Sequence, residues 1–145
     1  MTSVTLVRHL AARPEIVWDA LITPEGLRQW MGPDDGPVLV AETDPRPKGR
    51  FRLRFRVLDG REFESRGEYL EVDAPRRLVM SWGWEDEDFR HVSRVEIDLE
   101  RQVSGTRLTF THSQLPSEAS RKSHEDGWTG ALDKLQRLWV ERDSA

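Results

Sequence analysis

From Arg50 to Gln114 apolar side chains recur at every second position, and from Ser117 onward at every third or fourth. A switch of period from 2 to about 3.6 restricts the chain to consecutive strands followed by one long helix. Phe51, Leu53, Phe55 and Val57 alternate with Arg50, Arg52, Arg54 and Arg56. Phe63, Ser65, Gly67 and Tyr69 alternate with Glu62, Glu64, Arg66 and Glu68. Leu78, Met80, Trp82 and Trp84 share one face of a third strand, Val95, Ile97 and Leu99 one face of a fourth. Leu108, Phe110 and His112 point inward from a fifth, Thr106 to Gln114. The helix that follows carries Trp128, Leu132, Leu135 and Trp139 on its inner stripe, widened by Ala131 and Leu138.

Ahead of the alternating region, Val4 to His9 reads as a strand. A helix starts at Pro14, whose fixed φ suits the first helical position. Thr23 as N-cap and Pro24 at N1 restart the pattern, giving a short second helix with Leu27, Trp30 and Met31 on its apolar face. Gly32 to Gly49 reads as loop with a short strand around Val38 to Ala41, and with Trp30 and Met31 it forms a candidate gate.

The first hairpin fixes its own register. Opposed residues must share a face, so a two-residue Asp59-Gly60 turn is excluded. A three-residue loop, Leu58-Asp59-Gly60, sets Arg56 opposite Glu62, Arg54 opposite Glu64 and Arg50 opposite Glu68. The arginine stripe is thereby neutralised locally, each exposed pair contributing about 0–1 kcal/mol. With a net charge of −4, this argues against a nucleic-acid partner.

At 145 residues a single domain spanning 1–145 is expected, burying roughly 70% of the surface its unfolded form exposes. Hydrophobic content of 37% with 33% charged is that of a soluble globular protein, and no apolar run is long enough for a membrane span. No signal peptide is read in Met1 to Arg8, and the absence of cysteine fits a cytoplasmic location. His9, His91, His112 and His124 are scattered without metal-ligand spacing, and no phosphate-binding glycine motif is present, so neither a metal nor a cofactor is assigned. Glu85-Asp86-Glu87-Asp88 reads as a solvated acidic loop at one end of the sheet.

The order of elements and several local sequences resemble a known family. The residues that carry this are Val17-Trp18-Asp19-Ala20-Leu21, the run Thr23 to Met31, Gly49-Arg50-Phe51, Gly67-Glu68-Tyr69 and Pro75 to Val79. Ser81-Trp82, Thr106-Arg107-Leu108, His124, Gly127-Trp128 and Leu132 complete the set. Together they resemble the family of homologues of the activator of Hsp90 ATPase, within the START-like, birch-pollen-allergen-like superfamily. The resemblance implies an α+β helix-grip fold: a curved antiparallel sheet wrapped around a long C-terminal helix, with two short helices after the first strand and a hydrophobic cavity between sheet and helix. In the eukaryotic co-chaperone this domain follows a separate N-terminal one. The present chain begins at the first strand, which puts co-chaperone activity and a chaperone partner in doubt.

Six tryptophans in a chain of this size, most of them directed inward, suit a pocket better than a solid core. The candidate ligand-binding residues are Trp30, Met31, Phe55, Phe63, Tyr69, Met80, Trp82, Trp84, Phe110, His112 and Trp128. Ser65 and Gly67, small on an aromatic face, leave room, and Gly127 lets the helix approach closely or bend. His112 and Tyr69 would orient a polar group, or hydrogen-bond within the sheet. His124, one turn before Trp128, is read as helix-end packing. The expected function is binding of a hydrophobic or amphipathic small molecule or lipid. The alternatives are an enzyme resembling polyketide cyclases and aromatases, and a chaperone-associated or regulatory interaction protein. A homodimer is compatible with the chain, but no residue locates an interface, and no catalytic residue is assigned.

Overall fold

Seven antiparallel strands form one sheet in the order β1-β7-β6-β5-β4-β3-β2. The computed structural model describes residues 2–143, with side chains through residue 139; residues 1 and 144–145 of the expected span lie outside the described residues. The strands are β1 (Thr2–Leu10), β2 (Val38–Thr43), β3 (Arg50–Arg56), β4 (Glu62–Asp73), β5 (Arg77–Trp84), β6 (Ser93–Gln102) and β7 (Gly105–Leu115). Helices α1 (Pro14–Ile22) and α2 (Pro24–Leu27) follow β1, and α3 (Glu118–Asp143) ends the chain. This is the α+β, helix-grip-like arrangement that the resemblance implies, and the change of period accounts for its order of strands followed by one long helix.

The period-two faces are those read from the alternation. Phe51, Leu53, Phe55 and Val57 are buried, as are Leu78, Met80, Trp82, Val95, Ile97, Leu108, Phe110 and His112. The inner stripe of α3, Trp128, Leu132, Leu135 and Trp139, is buried against them, and Ala131 lies within the same core. Ser117 caps α3 by accepting the Ser120 N–H at 3.1 Å. At the other end of the chain, Thr23 Oγ1 accepts the Gly26 N–H at 3.0 Å and Pro24 occupies N1.

The first hairpin has the expected register, with Arg50↔Glu68, Arg54↔Glu64 and Arg56↔Glu62 paired, and Gly60 takes φ 97° in the three-residue loop. One residue of this outer face behaves differently from the expectation. Glu64 is only 1% exposed. It receives Arg52 at 3.0 Å, Arg66 at 2.5 Å and Arg54 at 3.3 Å, so three guanidinium groups roof over one carboxylate. Burial alone would raise its pKa, but these arginine hydrogen bonds hold it down at about 2.

Three glycine and helix readings are corrected. Gly67 leaves no room: a Cβ there would run into Ser81 O and the Phe51 ring, so the residue serves close approach of β4 to β5. Gly127 is not the close-approach point of α3, because its Cβ would find only Pro33 Cβ at 3.8 Å. Gly130 is that point, its Cβ position being occupied by Pro33 O. Helix α2 is a single turn, and Trp30 and Met31 lie beyond it. Trp30 folds back instead, donating Nε1–H to Ala20 O at 2.8 Å, and Gly32 at φ 101° ends the turn.

Candidate functional site

Aromatic residues at the end of the sheet nearest the β3–β4 hairpin form the walls of a cleft of about 850 Å³, open to solvent. Phe55 and Phe63 enter from the hairpin, Trp82 and Trp84 from β5, and Trp128 from α3. Their edges meet faces. Trp84 packs T-shaped on Phe55, Phe63 and Trp82 with centroids 6.1, 6.4 and 5.7 Å apart, and Trp82 meets Trp128 at 5.1 Å. Such pairs each contribute about 0.5–1.5 kcal/mol beyond area burial.

The helix completes the cleft with small and polar residues. Ser120, Ser123, His124, Gly127 and Ala131 line it, at helical spacing on one face. From the other side come Met31, Pro33 and Asp34, and from the hairpin tip Leu58, Asp59 and Arg61. The segment holding Met31 to Asp34 is pinned: Lys134 Nζ donates to Met31 O at 3.2 Å and to Asp34 O at 2.5 Å. Asp34 in turn accepts the N–H groups of Gly36 and Leu58, each at 2.9 Å. These anchors count against a gate at that point.

Of the eleven residues singled out in the sequence, Met31, Phe55, Phe63, Trp82, Trp84 and Trp128 come together in this cleft. Trp30, Tyr69, Met80 and Phe110 lie deeper, around an enclosed void of only about 10 Å³, the space of roughly one water. Met31, Trp82 and Trp128 line both spaces and divide them. The interior between sheet and helix is therefore packed, and the accessible space sits at one end of it.

His112 lies behind Trp128, fully buried. An indole N–H can only donate, so Trp128 Nε1–H, 3.0 Å from His112 Nδ1, makes that nitrogen the acceptor. His112 Nε2–H then donates to Ser93 Oγ at 2.6 Å, and Ser93 passes its own hydrogen to Trp82 O at 3.2 Å. Burial first, and then the neighbouring His124 and His91 rings, lower the His112 pKa to about 3. His112 is thus neutral and has both ring nitrogens engaged. Burial, reinforced by the Asp44 charge, raises the Tyr69 pKa, keeping its phenol protonated.

His124 follows the same logic on the cleft wall. Trp84 Nε1–H donates to His124 Nε2 at 3.0 Å, and His124 Nδ1–H donates to Ser120 O at 2.7 Å. The two imidazoles meet edge to face at 4.7 Å. The run of small and polar residues from Ser120 to Ala131 was legible as one helix face. That this face opposes the aromatic wall depends on how α3 lies across the sheet. The contributions of Pro33, Asp34 and the hairpin tip carry no sequence signal, since only tertiary packing brings those loops together.

Among the described residues, two buried polar atoms have no hydrogen-bond partner, Trp82 Nε1 and Ser65 Oγ. Ser65 pairs with Trp84 across β4 and β5, so it sits diagonally next to Trp82 on the inner face. Around the mouth stand Asp34, Asp59, Asp86, Glu87 and Asp126, with Arg61 as the one guanidinium among the described residues. The acidic loop foreseen in the sequence is a single 3₁₀ turn, Glu85–Glu87, and two of its carboxylates face this mouth. Among the described residues, no group of three or more His, Asp or Glu could hold a metal ion, and no helix is long and apolar enough to cross a membrane.

The model of a family described as Activator of Hsp90 ATPase homolog 1-like protein matches residues 11–139. Among solved structures, the chain is similar to an AHSA1 protein from Silicibacter pomeroyi at 28% identity, covering 94% of this chain and 96% of that one with a TM-score of 0.84. A protein from Nitrosomonas europaea is similar at 27% identity, covering 97% and 95% of the two chains, TM-score 0.79. A protein from Chromobacterium violaceum shares the fold at 23% identity, covering 96% and 98%, TM-score 0.83. No curated protein matches the chain.

Proposed function

Because the chain belongs to the Activator of Hsp90 ATPase homolog 1-like family, whose members share this sheet-and-helix frame, we propose that it binds a hydrophobic or amphipathic small molecule in the aromatic cleft. The observation that carries this reading is an open cleft of about 850 Å³ walled by Phe55, Phe63, Trp82, Trp84 and Trp128. That volume lies in the range of small-molecule sites, which combine apolar walls with a few polar groups. Burial of apolar ligand surface against Phe55, Phe63, Trp84 and Trp128 supplies the affinity, at about 25 cal/mol per Å².

No catalytic residue is proposed: the two imidazoles nearest the cleft, His112 and His124, have both ring nitrogens in internal hydrogen bonds.

Gly127 provides the test, because it lines the cleft and a Cβ there meets no clash. Gly127→Leu fills the space while replacing a poor helix former with a good one. We expect the variant to unfold at the same temperature as the parent or higher. It should also lose any small molecule that native mass spectrometry finds retained by the parent, and the thermal shift given by an apolar probe such as 4-phenylbutanol. A variant that stays folded and binds as before would refute the assignment of the cleft.

A further inference from the structure

We propose that the cleft selects ligands bearing a positive charge at their solvent-facing end, an amphipathic amine or quaternary ammonium rather than an acid. This deepens the binding reading above and rests on it. Five carboxylates line the mouth against one guanidinium. Arg61 is taken up by Asp59 at 2.8 Å, and Asp126 meets Lys122 at 3.1 Å. Asp86 and Glu87 have no ion pair among the described residues, whereas their neighbours Glu85 and Asp88 pair with Arg54 and Arg90. The negative charge left over is therefore on Asp34, held by two backbone N–H groups, and on the Asp86–Glu87 turn beside Trp84.

A second observation comes from the aromatic wall. The Arg61 guanidinium lies over the Phe63 ring, 5.5 Å from its centroid, so a cation already rests on an aromatic face of this cleft. Trp84, next to Phe63, offers an indole face of the kind that attracts cations most strongly. A molecule with an apolar body and a cationic outer end suits both the aromatic wall and the acidic mouth. A carboxylate or sulfate at the outer end would face Asp86 and Glu87, and among the described residues that line the mouth an anion has no unpaired cation to meet.

The charges at the mouth are exposed, so the discrimination is modest and salt-sensitive. The experiment compares three probes of one body, 4-phenylbutyl-trimethylammonium, 4-phenylbutanol and 4-phenylbutyrate, by calorimetry and tryptophan fluorescence on the full chain. At low salt the ammonium should bind about 5–10-fold tighter than the alcohol, and the carboxylate weakest, an order set by charge–charge and cation–π attraction. In 0.5 M salt the gap should shrink to about twofold, since screening acts over a few ångströms at that ionic strength. The double variant Asp86→Asn, Glu87→Gln should bring the ammonium towards the alcohol and leave the alcohol unchanged.

Equal or reversed affinities, or a gap that survives in the double variant, would overturn the charge selection while leaving the binding reading intact. Failure of all three probes to bind would overturn both. The substituted residues are surface side chains without ion pairs, and circular dichroism of the double variant should match the parent.

Discussion

A buried indole donates and never accepts, and that one fact assigns the protons of both histidines near the cleft. His112 must offer Nδ1 to Trp128, and His124 must offer Nε2 to Trp84. Protonating His112 would put a hydrogen on the nitrogen that accepts, breaking the chain from Trp128 through Ser93 to Trp82 O. Its pKa is about 3 in the folded chain against 6.5 ordinarily. Between those values the unfolded chain binds a proton that the folded one refuses. Stability from this group is therefore complete above pH 6.5 and lost as pH falls towards 3, at up to about 1.4 kcal/mol per pH unit. Urea unfolding at pH 7, 6 and 5 should show that decline, and His112→Gln should flatten it while lowering stability at pH 7 by about 1–3 kcal/mol. The inward direction of His112 was legible from the alternation of β7. Its partners were not, because Ser93 and Trp128 come from two other elements.

Within α3 two glycines three residues apart do different work. Gly127 lines the cleft, with Pro33 Cβ as its nearest neighbour, whereas Gly130 is pressed against the Pro33 carbonyl. Gly127→Ala should stabilise the chain by up to about 1 kcal/mol through helix propensity alone. Gly130→Ala should destabilise it by about 1–3 kcal/mol, because the helix has to move off the loop that Lys134 anchors. Thermal unfolding of the two single variants, shifting in opposite directions, checks both. Helical periodicity locates each glycine on the helix but carries no information about what lies across from it. The same holds for Gly67, where β5 and Phe51 come too close for a Cβ.

At the scale of the whole molecule, the outer face of the sheet supports the cleft on its inner face. Glu64 gathers Arg52, Arg54 and Arg66, and Arg54 reaches on to Glu62 and to Glu85 on the turn that carries Asp86 and Glu87. Removing the central carboxylate leaves three arginines crowded together. Their partial exposure lets water take over much of the pairing, so Glu64→Gln should lower stability by about 1–2 kcal/mol rather than the larger amounts seen for fully buried pairs. Chemical denaturation measures it. The affinity for a neutral probe such as 4-phenylbutanol should stay within about twofold of the parent, since no Glu64 atom lines the cleft.

Strand faces, the three-residue turn at Leu58-Asp59-Gly60, the register of the first hairpin and the inner stripe of α3 were determined by the sequence alone. Each follows from chain geometry within a few residues, where a period or a left-handed position leaves one arrangement. Tertiary structure alone decided where the space lies. The interior that eleven large residues could have lined is packed down to about 10 Å³, and the accessible volume opens at the hairpin end. A void is the small difference between large packed volumes, set by how indoles rotate and how closely Pro33 approaches Gly130. The burial of Glu64 has the same origin: three arginines from two strands cover it, and only the assembled sheet brings them over one carboxylate.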